Sequence, residues 1–156
     1  MPDTFVHGLA DAKSRKGEDA PAAKPPLEDG AVAAYAIFDG HGGRFFSHTC
    51  AHHTAAGVDN GTQYDVLAQL IESGGGGLPS DSEIDRIFWK TDEEVGTLLA
   101  TKPEPNYGGT TAQILMAQAV DDGLQVLQTW VGDSTALTVD MKHGRIVHAT
   151  FNHNPE

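Results

Sequence analysis

The segment 34–43 constrains the fold and the chemistry of this chain more than any other stretch of its 156 residues. An apolar run, AYAIF, ends directly in Asp39, which is followed by the sequence GHGG. Apolar and aromatic residues bounded by turn residues predict a short buried strand that ends at Phe38. Asp39 offers an oxygen ligand for a hard cation, and Gly40 lets a ligand or metal approach the backbone closely.

His41 adds an imidazole that can carry a proton near neutral pH. Taken alone, an Asp-Gly-His sequence is more often an ordinary turn with a surface histidine. Two later segments favour a functional interpretation instead. The sequence GGTTA (108–112) opens the apolar run ILMA, and VGDS (131–134) ends a run that begins at Leu124.

With Glu18 and Asp19 upstream, the order of motifs along the chain is ED, DGHGG, GGTTA and VGDS. This order and spacing resemble the metal-dependent (PPM-type) serine/threonine protein phosphatases, the family often called protein phosphatase 2C. The resemblance covers residues 14–156. We therefore interpret 14–156 as the N-terminal portion of a phosphatase domain, and 1–13 as a separate N-terminal segment.

The resemblance implies a binuclear Mg²⁺ or Mn²⁺ site whose activated water hydrolyses phosphoserine and phosphothreonine in proteins. It implies that Asp39 bridges the metals and that the Gly40 carbonyl is a ligand. It also implies that Glu18 and Asp19 serve the same site, although in isolation they would be a solvated acidic pair. Asp133 corresponds to the acid at a third, weaker metal position, and the surrounding VGDS would also form a tight turn.

In this family the histidine that corresponds to His41 is thought to protonate the leaving oxygen. The alternative is a histidine that only hydrogen-bonds to the groups around the metals. Arg15 is the candidate phosphate-binding residue, because a guanidinium can hold a phosphate with two hydrogen bonds. It lies one residue nearer to Glu18 than the commonest family spacing. The GGTTA segment lacks the lysine of a P-loop and precedes a strand, so a structural role is predicted for it.

The composition is acidic, with 22 Asp and Glu against 10 Lys and Arg and a formal net charge of −12. This argues against a nucleic-acid partner, which would require a basic face. The expected partners are phosphorylated proteins, without nucleic acid or membrane, and the chain is expected to be a monomer. The single cysteine, Cys50, excludes an intramolecular disulfide and favours a packed thiol in an intracellular protein, cytoplasmic or nuclear.

The predicted fold is α+β, as part of a four-layer sandwich in which helices flank a central antiparallel β-sandwich. Prolines 21, 25 and 26 predict a loop or an irregular strand connection over 20–30. Helices are predicted over 45–56, around 66–71, and after a cap at Ser80 or Asp81. Strands are predicted at about 110–120, 124–132, 135–140 and 145–150.

Catalytic domains of the family are usually longer, and their second half supplies two further aspartates that have no equivalent motif here. We therefore expect a truncated domain or an incomplete gene model, and an inactive isolated chain. The alternative is a catalytically inactive, phosphatase-like binding module. In NHNP (152–155), Asn152 replaces the acid that the family usually has before this histidine.

Overall fold

The computed structural model describes residues 16–26, 30–51, 64–101 and 108–153. The predicted N-terminal segment 1–13, Arg15 and residues 52–56 of the predicted first helix lie outside these residues. The elements are, in chain order, β1 (Ala20–Lys24), β2 (Ala33–Phe38), β3 (Gly40–His41), α1 (Phe45–Cys50), α2 (Val66–Ser73), α3 (Asp81–Ala100), β4 (Gly109–Thr110), β5 (Ala112–Val120), β6 (Gly123–Val131), β7 (Leu137–Asp140) and β8 (Arg145–Ala149).

The main sheet is four-stranded and antiparallel, with the order β1-β2-β5-β6. Two short antiparallel pairs, β3 with β4 and β7 with β8, complete the described strands. The α+β class with antiparallel sheets is therefore confirmed.

The first strand corrects one sequence-based expectation in part, because the regular strand β1 occupies a segment for which the prolines predicted a loop or an irregular strand connection. Among the strands that the structure describes, β1 pairs with β2 alone and so lies at the edge of this sheet. An edge strand tolerates Pro21, since one side of its backbone does not take part in the ladder. Alanines on both sides of the proline then allow close pairing with the alanine-rich β2.

Alternation along the strands assigns one face of the sheet to the core. On β2 the residues Ala34, Ala36 and Phe38 are buried, and on β5 they are joined by Ile114 and Met116. Helices α1 and α2 pack on the sheet, and α3 packs on both of these helices. The largest fully buried apolar side chains of this layer are Phe38, Leu67, Leu70, Ile87, Val95, Ile114 and Met116.

The longer helices begin at residues whose side chains satisfy free backbone groups. Asp65 precedes α2, and its Oδ1 accepts the Ala68 N–H at 3.0 Å. Ser80 precedes α3, and its N–H and hydroxyl both donate to Glu83 Oε2 at 2.7 Å. This capping box matches the start predicted from the sequence. None of the described helices combines the length and the apolarity needed to cross a membrane.

A buried ion pair joins β1 to the helical layer. Lys24 Nζ lies 2.7 Å from Asp65 Oδ2, and only 1% of the Asp65 side chain is exposed. The lysine remains 38% exposed, so its ammonium group keeps contact with water. The far end of β1 is thus fixed to the start of α2.

The opposite face of the sheet carries the segment that follows β8. The Thr150 hydroxyl bonds to Gln113 Oε1 at 3.2 Å, and the indole N–H of Trp130 donates to the Phe151 carbonyl at 2.8 Å. Apolar side chains elsewhere on this face stay open, and Ile37 and Val126 are each 44% exposed.

Candidate functional site

Two acidic side chains meet where β1 and β2 lie side by side. Ala20 pairs with Phe38 in the register of these strands, so Asp19 comes opposite Asp39 one step further along. Alternation places both on the face of the sheet away from the helices. Asp19 lies close enough to Asp39 to raise the pKa of its carboxyl group, through a hydrogen-bonding interaction and through its negative charge. The structure therefore brings together two of the predicted metal ligands.

The pKa of Asp39 is raised, and the causes identify the groups around it. Desolvation is the largest cause, followed by the hydrogen bond and the charge of Asp19 and then by the charge of Asp133. The charge of His41 acts in the opposite direction. A like charge nearby disfavours ionisation, and an opposite charge favours it. The charges of Asp19, Asp133 and His41 thus all act on the carboxyl group of Asp39.

Glu18 turns to the other side of its strand and has a different environment. Its Oε1 accepts the Gly43 N–H at 2.8 Å, and its carbonyl accepts the Ser47 hydroxyl. Lys16 Nζ lies 3.9 Å from its second carboxylate oxygen. Glu18 therefore holds the turn after His41, and its predicted role as a metal ligand stays a prediction.

Gly40 is required by packing. A Cβ at this position would lie 2.5 Å from the Glu18 carbonyl oxygen and 2.6 Å from Ser47 Oγ. Such distances are far shorter than a van der Waals contact, so no side chain fits there. The sequence-based reason for the glycine was access of a ligand to its carbonyl. The structure adds a second reason, the close approach of the Glu18 backbone and α1.

His41 lies in the short strand β3, opposite Gly109 of β4. A Cβ at Gly109 would come within 2.7 Å of Cε1 and 2.9 Å of Nε2 of the imidazole. The ring is thus seated directly on the glycine backbone while the residue remains exposed to solvent. This position suits a group that exchanges a proton with a bound molecule.

Sequence reasoning missed Thr111, which connects the two parts of the site. Its N–H donates to the Asp39 carbonyl at 2.9 Å, and its Oγ1 accepts the Asp39 N–H at 3.2 Å. The same Oγ1 lies 2.6 Å from Oγ of Ser134, the neighbour of Asp133. The only sequence signal for this role was the predicted structural function of GGTTA.

Aromatic packing supports the loop that carries Asp133. The backbone N–H of His153 donates to the Gly132 carbonyl at 2.9 Å. The His153 ring stacks on Trp130, with ring centroids 5.6 Å apart and an interplanar angle of 13°. Phe151 meets the same indole edge-on at 5.1 Å. The NHNP segment thus contributes through His153, while Asn154 and Pro155 lie outside the described residues.

The divalent metals that the family resemblance implies fit these residues in their charge. The contact between Asp19 and Asp39 concentrates negative charge, which a cation would neutralise. Among the residues that the structure describes, no three His, Cys, Asp or Glu side chains form a group able to hold a metal ion. Carboxylate oxygens are the ligands that a hard cation such as Mg²⁺ takes, and such a cation usually keeps several water ligands as well.

An open groove of about 460 Å³ lies beneath α3, apart from this acidic group. Its lining includes the aromatic residues Phe38, Phe46, Phe88, Trp89 and Trp130, together with Asp85 and Asp92. Neither Asp39 nor His41 lines it, so we do not assign it to the site.

Solved structures share the fold of this chain over most of its length. A sex-determining protein of C. elegans aligns with a TM-score of 0.57 and 22% identity, covering 92% of this chain and 33% of that one. Serine-threonine phosphatase 2C from Toxoplasma gondii aligns with a TM-score of 0.53 and 19% identity, covering 92% of this chain and 48% of that one. The chain thus spans a third to a half of the length of these structures.

A search among curated proteins found no significant match. The family model described as Protein phosphatase 2C, however, matches residues 9–156. The match includes all four motifs on which the resemblance rested and every acid of the site. This chain therefore belongs to the protein phosphatase 2C family.

Proposed function

We propose that this chain supplies part of the catalytic site of a Mg²⁺- or Mn²⁺-dependent phosphatase acting on phosphoserine and phosphothreonine in proteins. The observation that carries the proposal is the strand register that sets Asp19 opposite Asp39, together with the charges of Asp19, Asp133 and His41 that act on the Asp39 carboxyl group. Membership of the protein phosphatase 2C family supports the same chemistry.

Asp19, Asp39 and Asp133 are the side chains that would hold the cations, with Glu18 and the Gly40 carbonyl as further candidates. Bound divalent metals would neutralise phosphate charge and acidify a water nucleophile. The acids contribute by concentrating negative charge at one end of β1 and β2, where desolvation and then the neighbouring acids raise the pKa of Asp39.

His41 is the proposed proton donor to the leaving oxygen. Its ring is exposed, it lies beside Asp39, and the Gly109 backbone limits its freedom on one side. A general acid contributes roughly 10²–10⁴ to a rate, and most where the leaving group is a poor one such as serine. Arg15, which the structure does not describe, remains the proposed phosphate-binding residue.

A second candidate is a phosphatase-like module that binds a partner without hydrolysis. It is favoured by one observation, that the described residues bring together no group of three side chains able to hold a metal ion. Its partner would be a phosphorylated protein, and we propose for both candidates a monomer located in the cytoplasm or nucleus.

The test measures Mn²⁺ binding to the purified chain by the electron paramagnetic resonance signal of free Mn²⁺. Hydrolysis of p-nitrophenyl phosphate and of a phosphothreonine peptide is followed in parallel. Asp39→Asn removes the central charge, and Asp122→Asn in the β5–β6 turn is the matched control.

Binding and metal-dependent turnover that Asp39→Asn alone abolishes would support the phosphatase. If the unmodified chain binds Mn²⁺ but hydrolyses neither substrate, and Asp39→Asn abolishes the binding, the result would favour the non-catalytic module. Absence of Mn²⁺ binding, or binding equal in both variants, would contradict a metal site at Asp39.

A further inference from the structure

Thr111 makes contacts with both loops that carry the acids of the site. It stands between β4 and β5, 72 residues from Asp39 and 23 residues from Ser134 along the chain. Asp39 and Asp133 lie on separate loops, so hydrogen bonds within either loop cannot fix the spacing between the two acids. A residue that contacts both loops can fix this spacing.

The first contact clamps the backbone of Asp39. The Thr111 N–H donates to the Asp39 carbonyl at 2.9 Å, and the Asp39 N–H donates to Thr111 Oγ1 at 3.2 Å. One residue thus satisfies both backbone polar groups of the acid. The Asp39 side chain is exposed, so its direction depends on how firmly the backbone beneath it is held.

The second contact holds both neighbours of Asp133. Thr111 Oγ1 lies 2.6 Å from Ser134 Oγ. On the other side, a Cβ at Gly132 would lie 2.7 Å from Thr111 Cγ2. Gly132 has a φ of 96°, a left-handed conformation that a residue with a side chain adopts only with strain. The threonine methyl therefore packs against a glycine, and the loop lies flat against Thr111.

The hydrogen bonds of the hydroxyl are directional. A threonine hydroxyl has one proton to donate and two lone pairs to accept with. Because Oγ1 accepts from the Asp39 N–H, its own proton is available for Ser134. The same oxygen therefore links the Asp39 backbone to the Asp133 loop.

We propose that Thr111 is a positioning residue that sets the spacing of the Asp39 and Asp133 carboxylates, and through it the affinity of the site for a divalent cation. This inference rests on the proposed function, in which these acids hold Mg²⁺ or Mn²⁺. The hydroxyl carries the effect by linking the two loops, and the methyl adds packing against Gly132.

The experiment compares Mn²⁺ binding in variants that separate the hydroxyl from the methyl. Thr111→Val keeps the shape and removes the hydroxyl, and Thr111→Ser keeps the hydroxyl and removes the methyl. Thr129→Val makes the same change at a half-buried threonine of β6. We expect Thr111→Val to weaken Mn²⁺ binding by about 10- to 100-fold, as removal of a residue that orients a ligand typically does. Thr111→Ser and Thr129→Val should bind close to the unmodified chain.

Thermal unfolding in EDTA reports folding without metal, and each variant is first shown to fold by this measurement. If Thr111→Val does not fold, Ser134→Ala tests the same hydrogen bond from its other end and should weaken binding in the same direction. If Thr111 had a purely structural role, Thr111→Val would lower the unfolding temperature. Its affinity for Mn²⁺ would then not fall selectively relative to that of Thr111→Ser.

The possible failures are distinct. If the chain binds Mn²⁺, Asp39→Asn abolishes binding and Thr111→Val leaves it unchanged, the inference is wrong and the proposed function stands. If the chain binds no Mn²⁺, or Asp39→Asn has no effect, the proposed metal site itself is wrong, and Thr111 cannot set its affinity.

Discussion

The imidazole of His41 rests on the Cα of Gly109, so that a methyl group at this glycine would lie 2.7 Å from Cε1. The two residues face each other across the short β3–β4 pair, 68 positions apart in the sequence. The ring position therefore depends on an empty space that β4 provides. A substitution at Gly109 can therefore change the position of the His41 ring without changing the histidine itself.

Gly109→Ala should displace the His41 ring. The φ of Gly109 is not in the left-handed region, so the backbone accepts alanine and the clash falls on the ring. The His41 ring signals should shift in NMR spectra. In any form of the protein that hydrolyses phosphopeptides, the rate should fall by up to the roughly 10²–10⁴ of a lost general acid.

Gly96→Ala in α3 is the matched control, because nothing lies within 4 Å of a Cβ at that position. It should leave the His41 signals unchanged and stabilise the helix by about 0.5–1 kcal/mol. Unshifted His41 signals in Gly109→Ala would show that the added methyl group does not displace the ring, contrary to this prediction.

Lys24→Met should destabilise the fold, because it leaves the Asp65 carboxylate buried without its cation. Loss of one partner of a buried pair costs about 3–5 kcal/mol, and partial exposure of Lys24 places this pair at the lower end. Urea unfolding measures the change. The double variant Lys24→Met with Asp65→Asn should be more stable than Lys24→Met alone, since asparagine still caps α2 without a charge. Equal stability of both variants would mean that the carboxylate reaches water.

The ionisation of Glu83 should make the stability of the protein depend on pH. Its pKa is lowered by the hydrogen bond from the Ser80 N–H and then by that from the Ser80 hydroxyl. A lowered pKa in the folded state means that the stabilisation is present above the unfolded value of about 4.3, and is lost as the pH falls through the folded pKa. In urea titrations, the advantage of the unmodified chain over Glu83→Gln should therefore shrink below about pH 4.3.

The exposed Glu93, in the interior of the same helix, provides the control for that measurement. Glu93→Gln should leave the acid dependence close to that of the unmodified chain. If Glu83→Gln and Glu93→Gln changed the pH dependence of stability equally, the capping box would not be its cause.

Cys50 should resist thiol reagents as long as the protein is folded. It is 3% exposed, and burial, followed by the charge of Asp92, raises its pKa to about 12. Only the thiolate reacts, so modification at pH 8 requires an opening of the core. Mass spectrometry after treatment with N-ethylmaleimide should show slow labelling that accelerates strongly in urea. Rapid labelling without denaturant would contradict the burial of α1 against the core.

Local features of the site were predictable from the sequence, and long-range ones were not. DGHGG placed Asp39 and His41 at the end of a strand, because an apolar run that meets turn residues has few alternatives. The separation of Glu18 from Asp19 was not predictable, since it depends on a strand that the prolines concealed. The link through Thr111 escaped prediction for a different reason, because its partners are distant in sequence and meet only after folding.

The pairing of β1 with β2 decides which acid faces Asp39. Side chains of a strand alternate between its faces, so a shift of β1 by a single residue would exchange the positions of Glu18 and Asp19. Such a molecule would present the wrong carboxylate, and it would also turn the buried Ala20 side of β1 away from the core. The ion pair at the far end of β1 opposes this error, because Lys24 reaches Asp65 in one alignment only. Substitutions at Lys24, remote from the acids, can therefore yield a folded protein with a misassembled site.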